Sequence, residues 1–325
     1  MDLKFNERAN LLVQKIIDNI DSLKVKIAHL SNGARIIDCG VVAHGSYEAG
    51  VMASEIGMGG FSKVQLVEPK NPKQKTPSVL VDLEHPGVVT LCSQGAFPIF
   101  ENQKSPFYIS GPGRVLFRKP REIYDFFEYT EITKNPVFII EDDEYPTVSF
   151  VEKLSQMAQI NASNFTFVVV PIPSLAGNVE VASKTIEDVM FNLFLTFNWD
   201  VRKISRARSI TPVMPVFSKE ENKFQLTPDD YIFYGGEVEL YVKNIDDQLK
   251  KIVPKIVFEN TPGFGKLFLE MVKEANGNVR EINGYPYIFS PAKITVISVE
   301  TGETLSAGHN NIDYLFELID NKMRE

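Results

Sequence analysis

The residues best able to do chemistry lie in one run, Ser174-Leu-Ala-Gly-Asn-Val-Glu-Val-Ala-Ser-Lys-Thr-Ile-Glu-Asp188. Lys184 and Glu187 are three residues apart, which puts them on one side of a helix. A carboxylate beside an ammonium can take a proton from a bound water while the cation orients it. The same spacing also describes an ordinary solvated ion pair. Four further stretches carry candidate residues. Ser110-Gly-Pro-Gly-Arg114 offers two glycines, Gly111 and Gly113, for close backbone approach and a guanidinium for an anion. It matches no phosphate-loop fingerprint, and a tight turn is the alternative. His44 and Glu48 stand at i,i+4 in a Gly-rich stretch that begins at Asp38, as an acid/base pair or as structure. Tyr234-Gly-Gly236 closes an aromatic run that can wall a planar ring or simply end an edge strand. Arg202-Lys-Ile-Ser-Arg-Ala-Arg208 is the densest basic cluster, for an anionic tail or for a solvated strand face.

The elements that must position these groups follow from periodicity. Leu11, Leu12, Ile16, Ile17 and Ile20 predict a helix over the first 20 residues. Asn32-Gly33 between two apolar runs predicts a hairpin. Val148–Ile160 reads as a helix and Phe165–Val170 as a buried strand. A long helix is expected from about Val179 to Phe197, with Ile186, Val189, Met190, Leu193 and Phe197 on one stripe. Strands are expected at Tyr231–Phe233, Glu237–Val242 and Lys293–Ser298, and helices at Phe264–Glu274 and Ile312–Met323. Strands and helices without a strict βαβ rhythm point to a mixed α/β class, an α+β sandwich. The segment near Asn161–Asn164 is the expected division, between lobes 1–163 and 164–325.

Composition limits the function. The 325 residues are 44% hydrophobic and 23% charged, with a net charge of −8. An acidic chain is a poor partner for nucleic acid or an anionic membrane. Two cysteines, Cys39 and Cys92, and four scattered histidines form no zinc spacing, so no metal is expected. The first residues are amphipathic rather than a signal peptide, and no run of about 18 apolar residues occurs. A soluble, cytoplasmic protein is the expectation.

Taken together and in order, the segments resemble the archaeal and methylotroph methenyltetrahydromethanopterin cyclohydrolases. They are Asn32-Gly-Ala-x-Ile-Ile-Asp-Cys-Gly40, Gly45-Ser-Tyr-Glu-Ala-Gly50, His85-Pro-x-Val-x-Thr-Leu91, Ser110-Gly-Pro-x-Arg114, the Ser174–Glu187 run, Tyr234-Gly-Gly236, Phe289-Ser-Pro-Ala292 and Thr301-Gly-x-Thr-x-x-Ala-Gly308. The resemblance covers about residues 1 to 320. It implies two closely associated α/β lobes with a pocket between them, a homotrimer, and a reduced pterin of one-carbon metabolism and methanogenesis as substrate, with no cofactor. It implies that Glu187 activates water and that Lys184 stands where the family has an arginine. It makes Ser110, Gly111, Gly113, Arg114, Ser174, Gly177, Tyr234 and Gly235 candidates for substrate binding. Where the family often has an acidic residue this chain has His309, which receives no role. The alternatives are a non-catalytic pterin-binding homologue and a cyclohydrolase for another reduced pterin such as methenyltetrahydrofolate.

Overall fold

The computed structural model describes residues 3–100, 106–217 and 226–322. Among the described residues twelve strands occur. The first six are β1 (Lys26–His29), β2 (Arg35–Asp38), β3 (Ser62–Val67), β4 (Ser78–Glu84), β5 (Phe97–Phe100) and β6 (Pro106–Ile109). The others are β7 (Val137–Ile140), β8 (Thr166–Val169), β9 (Ile204–Pro212), β10 (Glu237–Val242), β11 (Lys293–Ser298) and β12 (Thr304–Gly308). They form a four-stranded sheet in the order β1-β2-β8-β7, a six-stranded sheet in the order β12-β11-β10-β9-β4-β3, and the β5-β6 hairpin. Helices accompany both main sheets, so the class is mixed α/β, as periodicity predicts.

The chain divides into two compact units, each discontinuous. One comprises residues 1–64 and 88–180, the other 65–87 and 181–325. The division expected at 163/164 lies inside the first unit, just before β8. That strand pairs in parallel with both β2 and β7, so it is central to its sheet.

In the first unit the period-2 alternation of the strands sorts residues to two cores. Ile37, Val137, Ile139 and Val168 meet Ala9, Val13 and Ile16 of the helix Phe5–Asp18 and Ala49, Ala53 and Ile56 of the helix Tyr47–Gly57. Ile36, Phe138, Ile140, Phe167 and Val169 meet Phe150, Val151 and Leu154 of the helix Val148–Ala158. With helices on both faces, β7 and β8 are buried along their whole length, which is why they read as continuous apolar runs. The Asn32-Gly33 turn joins β1 to β2 antiparallel, with Gly33 at φ 87°.

Asp38 ends β2 and organises the loop beyond it. Its buried carboxylate accepts the backbone N–H groups of Gly40 (2.9 Å), Val41 (2.7 Å), Val42 (2.9 Å) and Ala43 (2.8 Å), and the Tyr145 hydroxyl at 2.9 Å. Burial works to raise its pKa, but the four backbone donors prevail and hold it below the usual value. The chain is thereby delivered to Ser46, whose hydroxyl accepts from Ala49 N and caps the helix Tyr47–Gly57. His44 therefore precedes the helix and is exposed, and Glu48 lies exposed in its first turn. The two do not share a helical face. The His44 ring instead meets Gly45 O at 3.1 Å.

Two element expectations are corrected. Tyr231–Phe233 is not a strand but part of the helix Pro228–Gly235. Thr227 and Asp230 form a capping box there, and Pro228 occupies the first turn; these start signals outweigh the aromatic pattern. The single helix expected from Val179 to Phe197 starts earlier and is broken. It comprises the helix Leu175–Ala182, a step at Ser183-Lys184, the helix Thr185–Phe191 and a π-helical turn Asn192–Thr196.

Candidate functional site

The run from Ser174 to Asp188 is built from both of those helices. Ser174 Oγ accepts from Gly177 N at 3.0 Å and so caps the first. Gly177 packs against the strand-to-helix corner: a Cβ there would lie 2.1 Å from Pro171 O and 3.1 Å from Val170 O. Gly50 is equally constrained, because a Cβ would lie 2.5 Å from Ala176 O. Ser174 and Gly177 thus have local structural tasks. Gly177→Ala is expected to cost about 1–3 kcal/mol or more, since backbone rather than a flexible side chain must yield. A lowered urea midpoint with an unchanged m-value would show it.

The break at Ser183-Lys184 starts a second helix at Thr185. Lys184 N bonds back to Val181 O at 2.9 Å, and Lys184 occupies the N-cap position. Thr185 Oγ1 donates to Ala182 O (3.0 Å) and meets Thr211 Oγ1 of β9 at 2.6 Å, all buried. This ties the start of the helix to the six-stranded sheet. Lys184, Glu187 and Asp188 are half-buried in its first turn. Asp188 feels three charges. Burial pushes its carboxyl well above the ordinary range, Glu187 and Asp229 push it further, and Lys184 pulls the other way. Asp188 thus feels the charge of Asp229 from another helix as well as those of its own turn, which the i,i+3 pattern alone did not show. Asp188 and Asp229 are the residues that sequence reasoning passed over. Their signal was the repeated acidic pairs Glu187-Asp188 and Asp229-Asp230.

Ser110–Arg114 forms a corner against β7. Ser110 bridges to Ile139, Gly111 takes φ 93°, and a Cβ on Gly113 would fall 2.4 Å from the Phe138 ring. The Arg114 guanidinium is buried and donates to the carbonyls of Leu91, Gly95 and Lys119. Its fork braces the π-helical turn Thr90–Gln94 rather than facing solvent. The turn reading of this motif is the one the geometry favours. Ser110 Oγ and Arg114 Nε are buried without a partner among the described residues. The Arg202–Arg208 stretch is likewise committed, for Arg202 pairs with Asp200, Lys203 with Asp246, Arg206 with Asp82 and Arg208 with Glu239.

The Tyr234 ring is buried between Phe258, Phe264 and Tyr314. Its hydroxyl donates to Lys266 O (2.9 Å) and accepts from Gly265 N (3.0 Å). The ring packs within the second unit instead of forming an open wall. Gly235 lines a cavity of about 470 Å³, together with Lys70, Lys73, Gln74, Asn310 and Asp313. Ile210 and Pro212 of β9 also line it. Thr211 between them points to the opposite face, toward Thr185. The cavity and the Lys184–Asp188 turn thus lie on opposite faces of the sheet.

A family model described as cyclohydrolase (MCH) matches residues 4–318. The chain belongs to the cyclohydrolase (MCH) family. Curated relatives named methenyltetrahydromethanopterin cyclohydrolase are similar over nearly their full length. That of Methanospirillum hungatei JF-1 is 30% identical over 94% of this chain and 96% of its own. That of Methanococcus maripaludis strain C7 is 29% identical over 94% of each, and that of Methanothermobacter marburgensis 27% over 96% and 98%. The protein is accordingly a hydrolase of the cyclohydrolase family, the one its collinear motifs resemble. Among the described residues no group of His, Cys, Asp and Glu is arranged to hold a metal, and no helix is long and apolar enough to cross a membrane.

Proposed function

We propose that this cyclohydrolase hydrolyses the cyclic methenyl group of 5,10-methenyltetrahydromethanopterin to the 5-formyl product, reversibly, with Glu187 as general base. The observation that carries the reading is full-length membership of the family, whose relatives bear that name; Lys184 at the N-cap and Glu187 in the first turn of one helix support it. The methenyl carbon is already cationic, so water can add to it without a covalent nucleophile. Glu187 takes one proton as the C–O bond forms. The C–N10 bond then breaks, N10 gains a proton, the hydroxyl loses its own, and one proton is released overall. Lys184 orients the carboxylate as a point charge. It lacks the planar fork of the arginine that the family has there.

The substrate class is tested by mixing the protein with methenyltetrahydromethanopterin and, separately, with methenyltetrahydrofolate, and following loss of the methenyl chromophore. Enzyme-dependent loss with the first, at least about tenfold faster in kcat/KM than with the second, is expected; tenfold corresponds to about 1.4 kcal/mol of discrimination. Faster loss with the folate would move the assignment to that pterin. Tight binding without turnover, restored by Lys184→Arg, would favour a non-catalytic homologue. The homotrimer implied by the resemblance is part of the same reading, and light scattering of the purified protein tests it.

A further inference from the structure

The Lys184–Glu187 turn is held by contacts that reach it from other elements. Thr185 begins the helix Thr185–Phe191 directly after Lys184, and its side chain is wholly buried. Its hydroxyl donates at 3.0 Å to Ala182 O, the last carbonyl of the helix Leu175–Ala182. That proton is then used, so the 2.6 Å contact between Thr185 Oγ1 and Thr211 Oγ1 has Thr211 as its donor. Two hydroxyls in series, Thr211 to Thr185 to Ala182 O, therefore set the step between the two helices.

The fixed end of this series is a strand. Thr211 lies on β9, which pairs with β10 on one side and β4 on the other, Thr211 standing opposite Val79. A strand laddered on both sides cannot follow a moving helix without breaking those bonds. A second contact comes from Gly236, the end of the Tyr234-Gly-Gly236 motif. A Cβ there would lie 2.9 Å from Thr185 Cγ2 and 2.7 Å from Ile232 O. The Gly236 backbone has no room to retreat, because its N–H bonds to Ile232 O at 2.9 Å and its carbonyl accepts Lys293 N at 3.1 Å. Gly236 thus confines the Thr185 methyl while Thr211 confines the hydroxyl. Two residues along a helix are about 200° apart around its axis. Glu187 therefore stands roughly across the first turn from Thr185, half-buried where Thr185 is buried. A shift of the buried side carries the carboxylate with it.

We propose that Thr211 is a positioning residue for Glu187, acting through the Thr185 hydroxyl. The strand supplies the fixed point, Thr185 transmits it to the start of the helix, and Glu187 is held where its carboxylate meets the attacking water. The inference rests on Glu187 being the general base. It also gives Gly236 a task at this turn that needs no contact with substrate, which is to leave room for Thr185.

The test is steady-state loss of the methenyl chromophore in variants of the whole protein. Thr211→Val removes the hydroxyl and keeps the branched shape. Its kcat is expected to fall about 10–100-fold with KM within about threefold, since a misplacement of about 1 Å can cost about 100-fold. Thr211→Ser keeps the donor and is expected to retain most of the wild-type kcat. In a Glu187→Gln background Thr211→Val is expected to add no further loss, because the two residues act as one unit. Should Thr211→Val not fold, Thr211→Cys, whose thiol is a weak donor, takes its place in each comparison. Wild-type kcat in the folded valine or cysteine variant would overturn the proposal. So would an equal loss in Thr211→Ser, or a loss that multiplies with that of Glu187→Gln. Wild-type kcat in Glu187→Gln is a separate outcome: it removes the base on which the proposal rests, and the proposal with it.

Discussion

Glu187→Gln is expected to lower kcat by about 10²–10⁴-fold, the usual worth of a positioned general base, while KM stays within a few-fold. At about 1.4 kcal/mol per tenfold, this raises the barrier by about 3–5 kcal/mol. Glutamine keeps the shape and one acceptor oxygen but cannot take the proton from water. Glu187 is half-buried in the first turn of a helix whose start is locked to β9 by Thr185 and Thr211. An isosteric change there leaves the packing in place, so kcat and KM separate cleanly. Steady-state loss of the methenyl chromophore measures both. A folded Glu187→Gln with wild-type kcat would remove Glu187 from the mechanism and return the Lys184–Glu187 pair to a structural role.

The largest expected effect on stability comes from Asp38→Asn. Four backbone N–H groups converge on the two carboxylate oxygens, two on each, and the Tyr145 hydroxyl joins them. An asparagine offers one acceptor oxygen and one amide nitrogen. Two of the backbone donors then face an N–H₂ group, and each buried donor left unmet costs about 1–3 kcal/mol. The expected loss is about 2–6 kcal/mol, a large part of the roughly 5–15 kcal/mol typical of a folded domain. Urea unfolding measures it as a lowered midpoint. The pH dependence has a definite sign. The folded pKa of Asp38 is depressed, so its contribution is complete above the unfolded value near 3.8 and is lost as pH falls through the lower folded value. Asp38→Asn therefore removes stability near neutrality and leaves a shallower loss in acid. An unchanged urea midpoint at neutral pH would show that this carboxylate does not hold the loop.

What was legible in the sequence was local or full-length. The Asn32-Gly33 hairpin depends on two adjacent residues that accept a tight turn, and it formed. The periodicity of the first 20 residues predicts a helix, and Phe5–Asp18 is one. Of the predicted stripe, though, only Ile16 is fully buried. The rest of the buried face is Phe5, Asn6, Ala9 and Val13, while Leu11 is exposed and Ile20 lies beyond the helix end. The strand expected at Tyr231–Phe233 failed because aromatic residues suit either conformation, while the Thr227–Asp230 capping box commits the segment to a helix. That box is itself visible in the sequence, and it outranks the aromatic pattern. The roles of Arg114 and Tyr234 were not visible. A guanidinium suits an anion or three backbone carbonyls equally well, and only the path of the π-helical turn Thr90–Gln94 assigns it to carbonyls. An aromatic ring can stack on a ligand or on Phe258, Phe264 and Tyr314, and only packing chooses.

The same division holds for the Lys184–Glu187 pair. By itself the sequence determined the family, because collinear motifs over the whole chain are a one-dimensional property. It also put a carboxylate and a cation three residues apart. Tertiary structure alone decided what surrounds them. It broke the expected helix at Ser183-Lys184, fastened Thr185 to Thr211, and brought Asp229 from another helix into the field of Asp188. Spacing along a helix fixes neighbours within one turn. The charge state of a carboxyl depends on burial and on charges from distant segments, and those exist only once the chain has packed.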